Sequence, residues 1–288
     1  MTIDPGFLAE LDRFDAALER ETTAMLQGEQ ESPRVGEGLT FSDYRRYAPG
    51  DDTRLIDWKL YARTDEFYIK QYEEERNLTV HVLVDTSGSM DYGEGPAHKF
   101  EYGAKVGLGF AYLTAEDHND FRVATLADDV SRLDAGRSNR GEVLAVIDQL
   151  NDIAPAGETD LEETLATYAD RIRSRSLAVV ISDFLADPDE VEAGVAALAG
   201  NGVDVLVVRV LAPDERDPNV VGDTLFVDPE TEAEQRSYFS GSLAETYQSR
   251  LDEHVETVSD RVETLGADHV LLDTGEDFFD GFAQVWFE

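Results

Sequence analysis

The chain has 288 residues, 42% of them hydrophobic, enough for one large or two modest domains with a buried core. Its 62 acidic residues against 24 basic ones leave a formal net charge of -38, which disfavours nucleic acid and anionic membrane surfaces as partners. Cysteine is absent, which excludes disulfides and thiolate-held metals.

The opening "MTIDPGFLAE" has neither a basic n-region nor an apolar h-region, so no signal peptide is expected. The longest apolar runs, "LAVVI" and "VLVV", fall far short of the roughly 20 residues that span a bilayer. The expectation is a soluble, cytoplasmic protein. Over residues 6–27, Phe7, Leu8, Leu11, Phe14, Leu18 and Met25 recur near the helical period, with Gly28 as a stop. This predicts an N-terminal helix (segment 1–31) that docks on something later in the chain.

Residues 32–77 have another texture. Eight basic residues, Arg34, Arg45, Arg46, Arg54, Lys59, Arg63, Lys70 and Arg76, stand among ten acids, so this window nets only -2. Aromatic residues are dense as well: Phe41, Tyr44, Tyr47, Trp58, Tyr61, Phe67, Tyr68 and Tyr72. "LTFSDYRRY" and "EFYIKQY" suit strands, "APGDD" a turn and "TRLIDWKLYAR" a short helix. We read a small subdomain, in which Arg54, Asp57, Trp58 and Arg63 fit a packed ion-pair network better than a functional cluster.

From residue 78 to 288 the pattern is α/β. Strands are predicted at 78–84, 121–127, 176–182, 203–211 and 268–273, and helices at 98–117, 139–150, 160–173, 188–200 and 242–265. Near-continuous apolar strands alternating with helices predict a mainly parallel, doubly wound sheet covered on both faces. Asp187-Pro188 reads as an N-cap followed by proline at N1, and Ser242 with Glu245 has capping-box spacing. "EYGAKVGLGFAYL" places small residues at helical spacing, for close packing on the sheet. The five histidines are dispersed and suggest no site.

The stretch "VDTSGSM" ends the first of these strands on alternate oxygen-bearing residues: Asp85, Ser87 and Ser89. Ligands of doubly wound sheets bind beyond the carboxyl ends of the strands, at the switch point. Asp183 in "VVISDFLAD" ends another apolar strand, and "PAGETDLEETL" puts Thr159 in a loop that opens a helix. If the strands are neighbours, five oxygen donors without His or Cys can converge, which describes a site for a hard cation such as Mg²⁺. Two carboxylates balance the charge of a divalent ion but do not fill its shell, which can accept a further anionic oxygen. The plainer readings are local: Asp85, Ser87 and Ser89 as helix caps, Thr159 with Glu162 as a capping box, Asp160 as the rival donor, and Asp183 as a turn residue.

"DTSGSM", the threonine of "AGETD" and the aspartate of "ISDF" resemble the metal-ion-dependent adhesion site of von Willebrand factor A domains over about residues 78–275. The resemblance implies Asp85, Ser87, Ser89, Thr159 and Asp183 as Mg²⁺ ligands, some through water, with Mn²⁺ or Ca²⁺ as alternatives. The segment "YAPGDDTRLIDWKLYART" is similar to the signature of the bacterial and archaeal domain-of-unknown-function family fifty-eight, over most of residues 30–110. It implies a non-enzymatic adaptor that works with a MoxR-type AAA+ ATPase in protein assembly or maturation and grips an Asp or Glu of a partner. The acid-rich, lysine-poor composition resembles proteins of halophilic archaea. The alternative is a Mg²⁺-dependent hydrolase with Asp85 as nucleophile; it is weakened by Ser87 standing where such enzymes place a second acid.

Overall fold

Strands built from β-branched and leucine runs can be covered on both faces, and the long apolar runs of this chain are used in that way. The computed structural model describes residues 2–26, 39–46, 68–74, 78–172, 176–200, 202–218, 222–231 and 233–287. Residues 1–21 and 78–288 form one compact unit, and 22–77 a second.

In the second unit, β1 (Leu39–Arg46) pairs antiparallel with β2 (Tyr68–Glu74), with a register irregularity between Phe41 and Asp43. These are the two strands expected there. The predicted helix over "TRLIDWKLYAR", with Arg54, Asp57, Trp58 and Arg63, lies outside the described residues.

The first unit is built on a six-stranded sheet. Its strands are β3 (Thr79–Asp85), β4 (Asp120–Leu126), β5 (Val130–Arg132), β6 (Ser176–Ser182), β7 (Asp204–Leu211) and β10 (Asp268–Asp273). Their order is β10-β7-β6-β3-β4-β5, parallel except for the short antiparallel edge strand β5. A separate antiparallel hairpin pairs β8 (Gly222–Val227) with β9 (Glu234–Phe239). The helices are α1 (Phe7–Leu26), α2 (Lys99–Glu116), α3 (Arg140–Asn151), α4 (Leu161–Ala169), α5 (Pro188–Ala199), α6 (Pro213–Arg216), α7 (Gly241–Thr264) and α8 (Phe278–Trp286).

Alternation along each strand divides the core into two layers. Val80, Val82, Val84, Val179, Ile181, Val208 and Val210 face α2, α3 and α8, together with Ile3, Phe7, Leu8 and Leu11 of the N-terminal segment. Leu83, Ala178, Val180, Val205 and Val207 face α4, α5 and α7. The predicted docking of the N-terminal helix is thus onto the first layer, where Phe7 meets Phe278 edge-on at 5.3 Å and Phe14 stacks on Phe279 at 5.5 Å. The small residues of α2 let it lie close to the sheet: a Cβ on Gly107 would stand 2.7 Å from Val82 Cγ1. Among the described residues no helix is long and apolar enough to cross a membrane.

Caps follow local chemistry. Asp187 accepts from Asp189 N at 2.9 Å with Pro188 next, as expected. The expected Ser242–Glu245 box gives way to Ser240, whose hydroxyl accepts from Leu243 N at 3.3 Å. Two serines two residues apart offer competing caps, and the helix begins one residue earlier than its apolar spacing suggests.

Candidate metal centre

Chain order reverses about β3: β4 follows on one side, and β6 is added on the other. Such a reversal opens a crevice at the carboxyl edge, because the crossovers on the two sides diverge there. Val84 of β3 stands opposite Ile181 of β6, so Asp85 emerges beside Ser182 and Asp183. Asp85 and Asp183 are each 3% exposed.

Asp85 organises the loop that follows. Its Oδ1 accepts from Ser87 N at 2.8 Å and from the Thr159 hydroxyl at 2.9 Å, and its Oδ2 accepts from the Ser182 hydroxyl at 2.6 Å. Burial, followed by the neighbouring Asp183, pushes its carboxyl above the ordinary range. Thr86 holds the loop to β4 through its N–H and hydroxyl, both donating to Leu126 O at 2.8 Å. Ser87 Oγ and Ser89 Oγ lie 3.0 Å apart on the short 3₁₀ turn Gly88–Met90, and Ser87 makes no side-chain cap there. Gly88 N donates to Gly157 O at 2.8 Å, and Ala156 N to Thr86 O at 3.0 Å, which ties this loop to the one carrying Thr159. The cap of α4 is Asp160, accepting from Glu163 N at 2.8 Å, not Thr159. Thr159 is thereby left to face Asp85, 74 residues away in sequence.

Asp183 sits in a strained turn. Phe184 has φ 49, a left-handed conformation unusual for a bulky residue. The surroundings fix it: Phe184 N donates to Ser182 Oγ at 3.0 Å, its carbonyl meets His254 Nε2 at 2.8 Å, and its ring is fully buried. Asp183 Oδ1 accepts from Leu185 N at 3.2 Å. Its Oδ2 accepts from Lys99 Nζ at 2.8 Å, and the same ammonium donates to Glu215 Oε1 at 2.7 Å. Lys99 is fully buried. Burial alone would lower its pKa, but Asp183 and Glu215 together raise it. Burial raises the Glu215 carboxyl even against Lys99.

The five expected residues therefore come together, with four that sequence reading did not single out: Ser182, Lys99, Glu215 and Glu230. All but Lys99 line one cavity of about 380 Å³. Lys99 had a signal, since the chain has only four lysines, but no spacing ties it to Asp183. Glu230 arrives on the tip of the β8–β9 hairpin, beyond any periodicity that marks the sheet.

A family model described as protein of unknown function DUF58 matches residues 43–257. The chain belongs to this family. Its relatives include the uncharacterized protein Rv1480 of Mycobacterium tuberculosis, 27% identical over 281 residues, which cover 96% of this chain and 87% of the relative. Among solved structures, an aerotolerance-related membrane protein from Bacteroides fragilis aligns over 73% of this chain and 98% of its own, at 13% identity and TM-score 0.49. The SpRpn10 VWA domain aligns over 72% of this chain and 94% of its own, at 12% identity and TM-score 0.45.

The donor set of this family member suits a hard cation. It consists of hydroxyl and carboxylate oxygens, with no sulfur or imidazole in the cavity lining. Thr159 gives its proton to Asp85, so its oxygen keeps lone pairs for a cation. Asp85, Asp183, Glu215 and Glu230, set against Lys99, leave an excess of three negative charges when ionised, which favours a divalent ion. Among the described residues, no group of three or more His, Asp or Glu side chains forms a metal cage.

Proposed function

We propose that this chain is a non-enzymatic interaction adaptor that presents a divalent ion to an acidic side chain of a partner protein. In this reading Asp85, Ser87, Ser89, Thr159 and Asp183 hold Mg²⁺, and Mn²⁺ or Ca²⁺ can replace it. The observation that carries it is the hydrogen bond from Thr159 to Asp85 at the switch point, with Asp183 beside them. It joins three distant pieces of chain around one set of oxygens. Tyr92, Leu185 and Val227 rim the same cavity at 40%, 41% and 54% exposure, which suits a protein surface meeting a polar centre. The resemblance of the Arg- and aromatic-rich segment supports a MoxR-type AAA+ ATPase as the working partner.

Isothermal titration of Mg²⁺ and Mn²⁺ tests the reading: the wild type binds one ion and Asp85→Asn binds none. A folded wild type that binds neither ion overturns it. Ser87 stands two residues after Asp85, where a hydrolase of this kind places its second acid, which argues against Asp85 as a nucleophile. Mg²⁺-dependent hydrolysis of p-nitrophenyl phosphate, lost in Asp85→Asn, would favour the hydrolase instead.

A further inference from the structure

We infer that Glu230 is an intrinsic ligand of the metal, holding in the free protein the position that a partner's carboxylate takes on binding. The inference rests on the function proposed above and adds to it a competitor carried by the chain itself.

Three observations place Glu230 there. The first is a close backbone approach. A Cβ on Gly88 would stand 2.3 Å from Pro229 O and 3.3 Å from Glu230 Cα, so the hairpin tip lies directly against the turn that carries Ser87 and Ser89. Only a residue without a side chain fits between the serines at that approach.

The second is preorganisation of the tip. Asp228 Oδ1 accepts from Glu230 N at 2.9 Å, and its Oδ2 accepts from the Thr231 hydroxyl at 2.6 Å. Asp228 N donates to Ala233 O at 2.9 Å, closing the loop. An Asx-type turn of this kind fixes the backbone from which Glu230 projects.

The third is where the side chain sits. Glu230 lines the cavity with all five proposed ligands. Its carboxylate meets the Ser89 hydroxyl, with Asp183 and Asp85 across the same space. Three carboxylates facing one small space repel one another unless a cation lies between them. Glu230 thus adds one carboxylate to the oxygens of Asp85, Ser87, Ser89, Thr159 and Asp183 around one cavity.

The hairpin is also suited to leaving. It forms its own two-stranded sheet, and most residues of both strands are exposed. Phe239, buried and packed on Phe226 at 5.6 Å, anchors one end. A lone two-stranded hairpin has little stability of its own, so few contacts resist its displacement. A partner carboxylate then replaces one internal acid by another at the same ion.

Mn²⁺ alone reads this directly, because water-proton relaxation counts the exchangeable waters on the bound ion. The comparison uses full-length wild type, Glu230→Ala and the near-isosteric Glu230→Gln, which keeps the hairpin tip filled. Both variants are expected to bind Mn²⁺ about tenfold more weakly and to carry one more exchangeable water. Acetate should remove that extra water in Glu230→Ala and leave the wild type unchanged. Equal Mn²⁺ dissociation constants and equal water counts in all three proteins overturn the Glu230 assignment while leaving the metal site standing. Absence of Mn²⁺ binding to the wild type overturns both.

Discussion

The two layers on either side of the sheet treat buried bases in opposite ways. On the α2 side, Lys99 is fully buried between Asp183 and Glu215, and its pKa is raised. On the α4–α7 side, Arg209 of β7 is equally buried, yet its three guanidinium nitrogens have no hydrogen-bond partner among the described residues. Desolvation lowers its pKa to about 10, with Asp183 pulling the other way. His81 and His269 are lowered to about 4, chiefly by burial. A chain with 62 acids thus sets two of them against the base at the carboxyl rim and leaves Arg209 in the other layer without a hydrogen-bonded acid among the described residues. Abundance of acid does not decide pairing; position at the crevice does. The first arrangement lines the candidate site, and the second leaves a buried base without a hydrogen-bond partner among the described residues.

The largest expected effect lies in the paired layer. Lys99→Met leaves Asp183 and Glu215 buried without their cation, and breaking a buried pair from one side costs about 3–5 kcal/mol. Denaturant unfolding in EDTA measures this, and Mg²⁺ should recover part of the loss. A cost under about 1 kcal/mol would mean that the network is not ionised, and the contrast between layers would collapse.

Next come the histidines of the unpaired layer. His81 accepts from or donates to the Tyr168 hydroxyl at 2.8 Å, and Arg122, Arg132 and Asp134 shape its field, the two arginines lowering its pKa and Asp134 raising it. Arg209 and Glu263 act on His269 with opposite signs. Both imidazoles stay neutral when folded, whereas the unfolded chain takes up protons below pH about 6.5. Stability therefore falls as pH drops from about 6.5 towards 4, by about 2–3 kcal/mol per histidine at pH 4.5. Carboxyls with raised pKa values act with the opposite sign, so the readout is a difference. The fall in urea midpoint between pH 7 and 4.5 should be smaller in His81→Phe than in the wild type, and equal falls would refute it.

Metal linkage sharpens the comparison at the crevice. An ion at a hundred times its dissociation constant stabilises the folded state by about 2.7 kcal/mol. The Mg²⁺-induced rise in melting temperature should vanish in Asp85→Asn and persist in the exposed control Asp128→Asn. In molar KCl the screening length is about 3 Å, so a contact coordinate bond survives salt that removes longer-range attraction. Persistence of the rise in Asp85→Asn would place the ion elsewhere.

How much of this could be read in the chain depends on the range of each signal. The five sheet strands with apolar runs, Thr79–Asp85 to Asp268–Asp273, lie within a residue or so of their predicted bounds, because burial on both faces writes itself into local composition. Val130–Arg132 is too short to carry a period, and Gly222–Val227 with Glu234–Phe239 has mostly exposed faces, so neither stands out. The helix Phe278–Trp286 is a burst of aromatics whose role shows only where Phe278 and Phe282 meet Phe7, Phe14 and Tyr102. At the site, Asp85, Ser87 and Ser89 share one turn and are visible as a motif. Thr159 and Asp160 both suit the start of a helix, so sequence alone does not separate them, and Asp160 takes the cap. Lys99, Glu215 and Glu230 join Asp183 and Ser89 across the tertiary structure, with no local pattern to announce them.

The smallest effect expected also separates the layers most cleanly. Arg209 stands over the Phe184 ring at 5.8 Å, the residue that holds the strained turn after Asp183. Two terms compete when it becomes methionine. Removing a buried, unpartnered guanidinium removes its desolvation cost, and replacing buried ionic groups by apolar ones of similar volume is often neutral or stabilising by 1–4 kcal/mol. Against this stands the loss of attraction to Asp183 and of the cation–π contact, the latter worth about 0.5–2 kcal/mol. Desolvation is the larger influence on Arg209, and Asp183 is already held by Lys99. Arg209→Met should therefore raise stability by about 1 kcal/mol, with the Mg²⁺ response intact. A stability loss, or a weakened Mg²⁺ response, would mean that Arg209 supports Asp183 from behind the sheet, making the second layer part of the site.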